Sequence, residues 1–267
     1  MKRIHERRAN TVVGQMRGWG AILLWAIGTM GWGQIVNTET QRFSRNETVE
    51  PFTGEASGFF NSAKNANFSL SGGISFRANL RNEQHNWLYF GRWSNTQFND
   101  EIFRSETISH LRYSWFASKR LTPEAFTQVQ TNLLMELRYR TLNGAGVRLN
   151  AITRDSSALR IYPGLMYMYE YEELNNDLGL NRAHRASAFL NFTWAIQPFV
   201  RLVSTTYFQP RLDKPDDFRV ACDVQLRIQL GPRFSFDSAY NLFYDTEPPN
   251  TIPTTFYTLA NGLRYTF

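Results

Sequence analysis

The residues able to do chemistry in this chain are mostly arginines and carboxylates set at every second position. Arg112, Arg138, Arg140, Arg148, Arg160, Arg219, Arg227 and Arg264 fall on runs where the alternate residues are apolar. Glu124, Glu136, Glu170, Asp223 and Asp237 lie on the same kind of run and supply counter-charge. A guanidinium is a planar fork that bonds several carboxylates or carbonyls at once, so such residues suit an internal charge ladder. His110 is the histidine placed on a strand-like run and shares a row with Arg112, while His85 and His184 fall in connections. Nucleophilic catalysis needs a Ser or Thr beside a base that a third polar group orients. No G-x-S-x-G stretch accompanies His110, so a structural histidine bonded to a carboxylate is expected, with a membrane-embedded lipid hydrolase as the weak alternative. Cys222 is the sole cysteine and its like-parity neighbours are apolar, which marks a small hydrophobe. No metal-spaced cluster and no phosphate-cradling glycine loop occurs, so no cofactor and no catalytic residue is expected.

These side chains need a scaffold that alternates. Phe218, Val220, Cys222, Val224, Leu226, Ile228 and Leu230 are apolar, and Arg219, Ala221, Asp223, Gln225, Arg227 and Gln229 lie between them. A period of two is a strand with one apolar face. The same pattern recurs along the chain and predicts twelve strands near 52–61, 66–80, 85–96, 105–118, 121–131, 135–150, 157–172, 183–196, 197–209, 217–231, 232–245 and 254–267. Many of these are longer than the five or six residues usual in globular proteins. The stretches NTQFNDEIF, EELNNDLGLNR, QPRLDKPDD and DTEPPNTIPT read as long loops after odd-numbered strands, with tight turns after strands 4, 8 and 10. With both termini periplasmic, long loops on one side and short turns on the other predict an all-β fold: an antiparallel transmembrane β-barrel of about twelve strands.

The competing fold is a soluble sandwich or lipocalin-like barrel with its apolar face inward. Two features favour lipid. Aromatics gather towards strand ends, as at Tyr167, Tyr169 and Tyr171, at Tyr240 and Tyr244, and at Tyr265 and Phe267. Lysine is almost absent: only Lys64, Lys119 and Lys214 follow residue 33, against 21 arginines.

Residues 1–33 read as a secretory signal peptide, with a basic start, a sixteen-residue apolar run and Gly31-Trp32-Gly33 before a cleavage site between Gly33 and Gln34. That segment holds five basic residues and one acid, leaving 24 against 22 in the remainder. The pI near 9.5 therefore derives mainly from the leader and is no sign of nucleic-acid binding. Residues 34–51 are polar and unpatterned, a periplasmic tail, a plug or an extra strand, and 52–267 form the barrel.

The C-terminal YTLANGLRYTF places Tyr257, Leu259, Leu263, Tyr265 and Phe267 on one face. It resembles the signal that barrel assembly machinery reads in outer-membrane proteins, and the same strand is expected to close on the first. QIVNTE, HLRYSWFASKRLTPEAFTQVQ, RTLNGAGVR, YEYEEL, STTYFQPRLD, YDTEPP and NGLRYTF together resemble a family of outer-membrane proteins grouped as a domain of unknown function. Some of its members are called salt-induced outer membrane proteins, and the likeness is to the Bacteroidetes branch. The resemblance implies a barrel in the outer membrane of a Gram-negative bacterium and brings no ligand or catalytic residue with it.

Three functions are then open. The first is a small-solute channel or solute-binding barrel, anion-preferring through its arginine excess if open. The second is a closed structural or recognition barrel acting through its outer loops, and the third is the hydrolase. Expected partners are membrane lipid, the assembly machinery and a small anionic solute, with no nucleic acid.

Overall fold

The computed structural model describes residues 51–64, 67–99, 101–118, 120–152, 158–175, 179–249 and 252–265. The proposed signal peptide with its Gly33–Gln34 cleavage site, nearly all of the 34–51 segment, and Phe267 lie outside the described residues.

Twelve strands follow one another: β1 Phe52–Lys64, β2 Phe68–Arg81, β3 His85–Phe98, β4 Glu101–Trp115, β5 Leu121–Asn132, β6 Leu137–Leu149, β7 Leu159–Leu174, β8 Leu180–Gln197, β9 Val200–Pro210, β10 Phe218–Gln229, β11 Phe234–Asp245 and β12 Thr255–Tyr265. Each pairs antiparallel with its sequence neighbours in a single meander. The lower end of the sheet carries the start of β1 and the connections after even strands. The upper end carries the connections after odd strands. The sheet curls on itself, because Phe243 of β11 packs in one cluster with Met135 and Leu137 at the β5–β6 corner, and Phe256 of β12 leans on it.

Two expectations change. Strand β3 runs on to Phe98 and β4 begins at Glu101, so most of NTQFNDEIF is ladder, with a bulge at Thr96/Gln97. Polar side chains do not end a strand whose backbone still finds partners. The lower connection 150–158 is as long as the upper 246–254, so loop length alone does not separate the two ends. The closing seam is also not part of the described sheet: no ladder joins β12 to β1 among the described residues.

The two faces are inverted relative to a soluble barrel. Outward rows hold exposed Ile74, Leu165, Leu190 and Leu263 at 65, 57, 47 and 73%. Inward rows hold Arg140, Glu170, Asn191 and Thr205 at 0%. A soluble protein cannot hide charge and show leucine on this scale, whereas a lipid-facing barrel must. Strand β8 gives the span. His184 and Trp194, both outward, are ten residues apart, about 33 Å along a strand at ~3.3 Å per residue. At a tilt near 40° that is about 25 Å along the membrane normal, the height of the apolar band of such barrels.

Room inside comes from glycine. A Cβ on Gly164 would lie 2.1 Å from the Phe189 ring, and one on Gly146 would lie 2.2 Å from the Leu165 carbonyl oxygen. The NGAG stretch and Gly164 thus form a hollow on the inner wall, with Gly144 against Phe126, Gly146 against Met166 and Gly164 against Phe189.

Candidate functional site

The inward rows of β6, β7, β8, β10 and β11 bring their charges together near the upper end. Glu170 on β7 sits at the centre. Its Oε1 lies 2.8 Å from Arg140 Nε and accepts from Arg219 Nη1, and its Oε2 accepts from Arg185 Nε at 2.8 Å. Arg185 also donates to Asp217 Oδ1 at 3.0 Å and to the Gln209 carbonyl at 3.1 Å. Arg219 continues to Asp245 at 2.7 Å and to Glu172 at 3.5 Å. Arg211 joins the rim through Asp217 at 3.4 Å. Four arginines thus meet Glu170, Glu172, Asp217 and Asp245, a balanced and dehydrated set rather than a positive ladder. Arg140 is held differently from its neighbours. Its contact with Glu170 is off the N–H direction, and none of its three nitrogens has a hydrogen-bond partner among the described residues.

A second network lies lower down. Glu124 accepts from Arg112 at 2.8 Å and from Ser114 at 3.0 Å, and Arg148 comes within 4.0 Å while its guanidinium covers the Tyr162 ring. His110 shares a 3.0 Å hydrogen bond with Gln128 Oε1 and accepts from Arg112 Nε at 3.4 Å, stacked on Phe126. With Nε2 accepting, Nδ1 carries the proton. The expected carboxylate partner of His110 is a carboxamide, and its ring is clamped by two side chains and an aromatic face.

The remaining sequence candidates separate. Arg227 bonds Asp237 at 2.6 Å at the lower mouth, half exposed, and Arg160 is half-buried on the inward row nearby. Asp223 accepts from Gln225 at 3.4 Å. Arg138 is not in the lumen: its side chain is 69% exposed and pairs with Glu173 at 2.9 Å on the upper rim. A bulge between Leu137 and Tyr139 shifts the register there, which breaks the parity that assigned it inward. Glu136 is not on the inner row either: it caps the short 3₁₀ turn Leu133–Met135 in a left-handed conformation. The Arg264 side chain lies outside the described residues. His85 and His184 stand on strands, both outward, bonded to Tyr113 at 2.7 Å and Tyr167 at 2.5 Å. Cys222 faces outward and accepts from Thr206 at 3.4 Å. The described part of the C-terminal face, Tyr257, Leu259, Leu263 and Tyr265, is exposed and outward.

Arg185, Glu172, Asp217 and Asp245 were not among the sequence candidates. Inward parity from Ala183 through Arg185 and Ser187 to Asn191 carried the signal for the first. A small cavity of about 10 Å³, room for one water, lies above the network. Glu172, Arg219 and Asp245 form its floor, and Pro248, Pro249 and Ile252 of the β11–β12 connection roof it. Among the described residues, no group of three or more His, Cys, Asp or Glu is placed to hold a metal ion.

An apolar exterior, a charged interior and a continuous antiparallel meander define a membrane-spanning β-barrel of the outer-membrane type. The chain belongs to the DUF481 family, described as proteins of unknown function, whose profile matches residues 54–267. Among solved structures it is similar to the NanC porin, at 8% identity and TM-score 0.45, covering 80% of this chain and 99% of that one. It is also similar to the KdgM porin, at 7% identity and TM-score 0.42, covering 81% and 99%. The beta domain of the Bordetella autotransporter BrkA gives 12% identity and TM-score 0.39, covering 82% and 100%. At such scores these likenesses carry no weight in assigning a role. No curated protein matches the sequence.

Proposed function

We propose that the protein is a narrow small-solute channel of a Gram-negative outer membrane, constricted at its upper end by the Glu170 network and selective for anions at its lower mouth. The observation that carries this reading is the pairing of Arg201 and Arg227. They face each other across β9 and β10 on the inward row, with Arg160 two strands away. Like charges directly opposite are unfavourable in a sheet, and Arg227 has a bonded carboxylate in Asp237. Arg160 and Arg201 have no hydrogen bond or ion pair among the described residues, so the mouth has spare positive charge for a passing anion. The inner rows of β1 and β2 provide the path, since Ser57, Ser71, Ser75 and Asn79 are small, polar and accessible.

A closed barrel acting through its outer loops is the second reading. The burial of Glu170, Arg140 and Arg185 favours it, because hydrated channel walls do not bury their charges so completely.

Planar-bilayer conductance of refolded residues 34–267, with the reversal potential read in a salt gradient, separates the two. The channel gives discrete anion-selective steps, and an Arg201→Gln/Arg227→Gln variant moves the reversal potential towards cations. A folded but silent barrel supports the closed reading and overturns the channel.

A further inference from the structure

The outward face of β8 changes character near its upper end. Leu190, Ala188 and Ala186 lead up to His184 and Arg182, so an apolar column ends in two basic side chains at interface height. Ala188 is opposite Leu165 on β7 and Phe208 on β9, and Ala186 is opposite Tyr167. Two alanines between larger neighbours leave a shallow furrow on the lipid-facing surface, running towards the basic pair.

The head of that furrow is organised. His184 stacks against Tyr167 and Tyr169 at 5.9 and 5.2 Å and is tied to the Tyr167 hydroxyl. The guanidinium of Arg182 lies 5.7 Å from the Tyr171 ring centre. The nearby carboxylates are already taken. Asp213 is gripped by Arg211 through two bonds of 3.0 and 2.7 Å, and Glu173 is held by Arg138. Arg182 is exposed and has no carboxylate partner among the described residues. A long basic side chain left unpaired at an aromatic girdle is suited to phosphate, and an apolar furrow below it is suited to an acyl chain.

We propose that Arg182, His184 and the Tyr167–Tyr169–Tyr171 column form a binding site for one anionic phospholipid-type lipid. Its phosphate is held by the two basic groups, and one acyl chain lies along Ala186 and Ala188. The site is on the outside of the barrel and is independent of whether the lumen conducts.

Native mass spectrometry of refolded residues 34–267 tests it, using detergent micelles doped with phosphatidylglycerol or phosphatidylcholine. The expected result is preferential retention of one phosphatidylglycerol. An Arg182→Gln variant weakens that retention roughly fivefold, in line with ~1 kcal/mol for one basic group near a lipid surface. Arg120→Gln, which removes an exposed basic residue at the opposite end of the barrel, leaves retention unchanged. Ala188→Trp fills the furrow and weakens lipid retention while the barrel still shows its folded mobility on a gel. Equal retention of the two lipids, or an unaltered Arg182→Gln variant, overturns the proposal. Displacement of the lipid by inorganic phosphate alone, with Ala188→Trp silent, identifies a bare phosphate site and also overturns it.

Discussion

Arg185 Nε lies 2.8 Å from Glu170 Oε2, and both side chains are out of reach of solvent. Arg140 Nε stands at the same 2.8 Å from the other oxygen of that carboxylate, but none of its three nitrogens has a hydrogen-bond partner among the described residues. The two arginines are therefore unequal. Removing Arg185 strips hydrogen bonds from Glu170, Gln209 and Asp217 at once. Breaking a buried charge pair in that way costs about 3 kcal/mol or more. Removing Arg140 leaves the carboxylates one charge short but also removes donors that were buried and unsatisfied, so Arg140→Met is expected to cost at least about 1 kcal/mol less than Arg185→Met. Urea midpoints of the two refolded variants in micelles decide this. Equal losses for Arg185→Met and Arg140→Met would show that ion proximity, not hydrogen bonding, holds the network.

The glycine hollow predicts a position-specific cost. A methyl at Gly146 meets backbone atoms, the Leu165 carbonyl oxygen and the Met166 Cα at 2.5 Å, which cannot swing away. Gly146→Ala is expected to destabilise by about 1–3 kcal/mol, the range of an overpacked interior. A Cβ at Gly231 meets nothing within 4 Å, so Gly231→Ala is the matched control. A harmless Gly146→Ala would mean that β6 and β7 are further apart than their register implies.

Depth along β8 can be read by charge. Leu190 lies between the His184 and Trp194 levels on the outward face. An arginine there is expected to cost about 2–4 kcal/mol in lipid, against at most ~1 near the interface at Trp194. Reversible unfolding from vesicles gives both numbers. The opposite ranking would move the membrane away from this band.

Asp213 lies in the upper connection between β9 and β10, outside the spanning strands. The hydrogen bond from Arg211 holds its carboxyl down at about 2, below its ordinary 3.8. A lowered folded value means that the contribution is present above 3.8 and is lost as the pH falls through about 2. Carboxyl chemical shifts are expected to show Asp213 ionised at pH 3, and Arg211→Gln to return it towards 3.8. Titration of the parent protein at an ordinary position would dissolve the Arg211 clamp.

Alternation made the strands legible, and eleven of the twelve predicted strands start within three residues of their observed positions. It also assigned Arg112, Arg140, Arg148, Arg219, Glu124 and Glu170 to buried inward positions. It failed where parity breaks or begins. The bulge beside Arg138 turned that residue to the rim, and His85 and His184, read as lying in connections, stand on the outward faces of β3 and β8. Partner choice was illegible for another reason. Parity fixes a face, but which arginine meets which acid depends on stagger between strands: Asp217, in the connection just before β10, and Asp245, at the end of β11, enter only because they come beside Arg185 and Arg219.

The Glu170 network has a consequence for the order of events. Arg219 meets Glu170 from 49 residues further along the chain, and Asp245 binds Arg219 from 26 further still. Strand pairing between neighbours is local, whereas these bonds exist only after β10 and β11 have arrived. A sheet of β6 to β8 alone already sets Arg140 and Arg185 against Glu170 and Glu172, but it leaves Arg185 without Asp217 and Glu170 without Arg219. The charged interior thereby ties together strands that the meander alone would leave as separate neighbours, and the full set of bonds exists only in a sheet that holds β6 through β11.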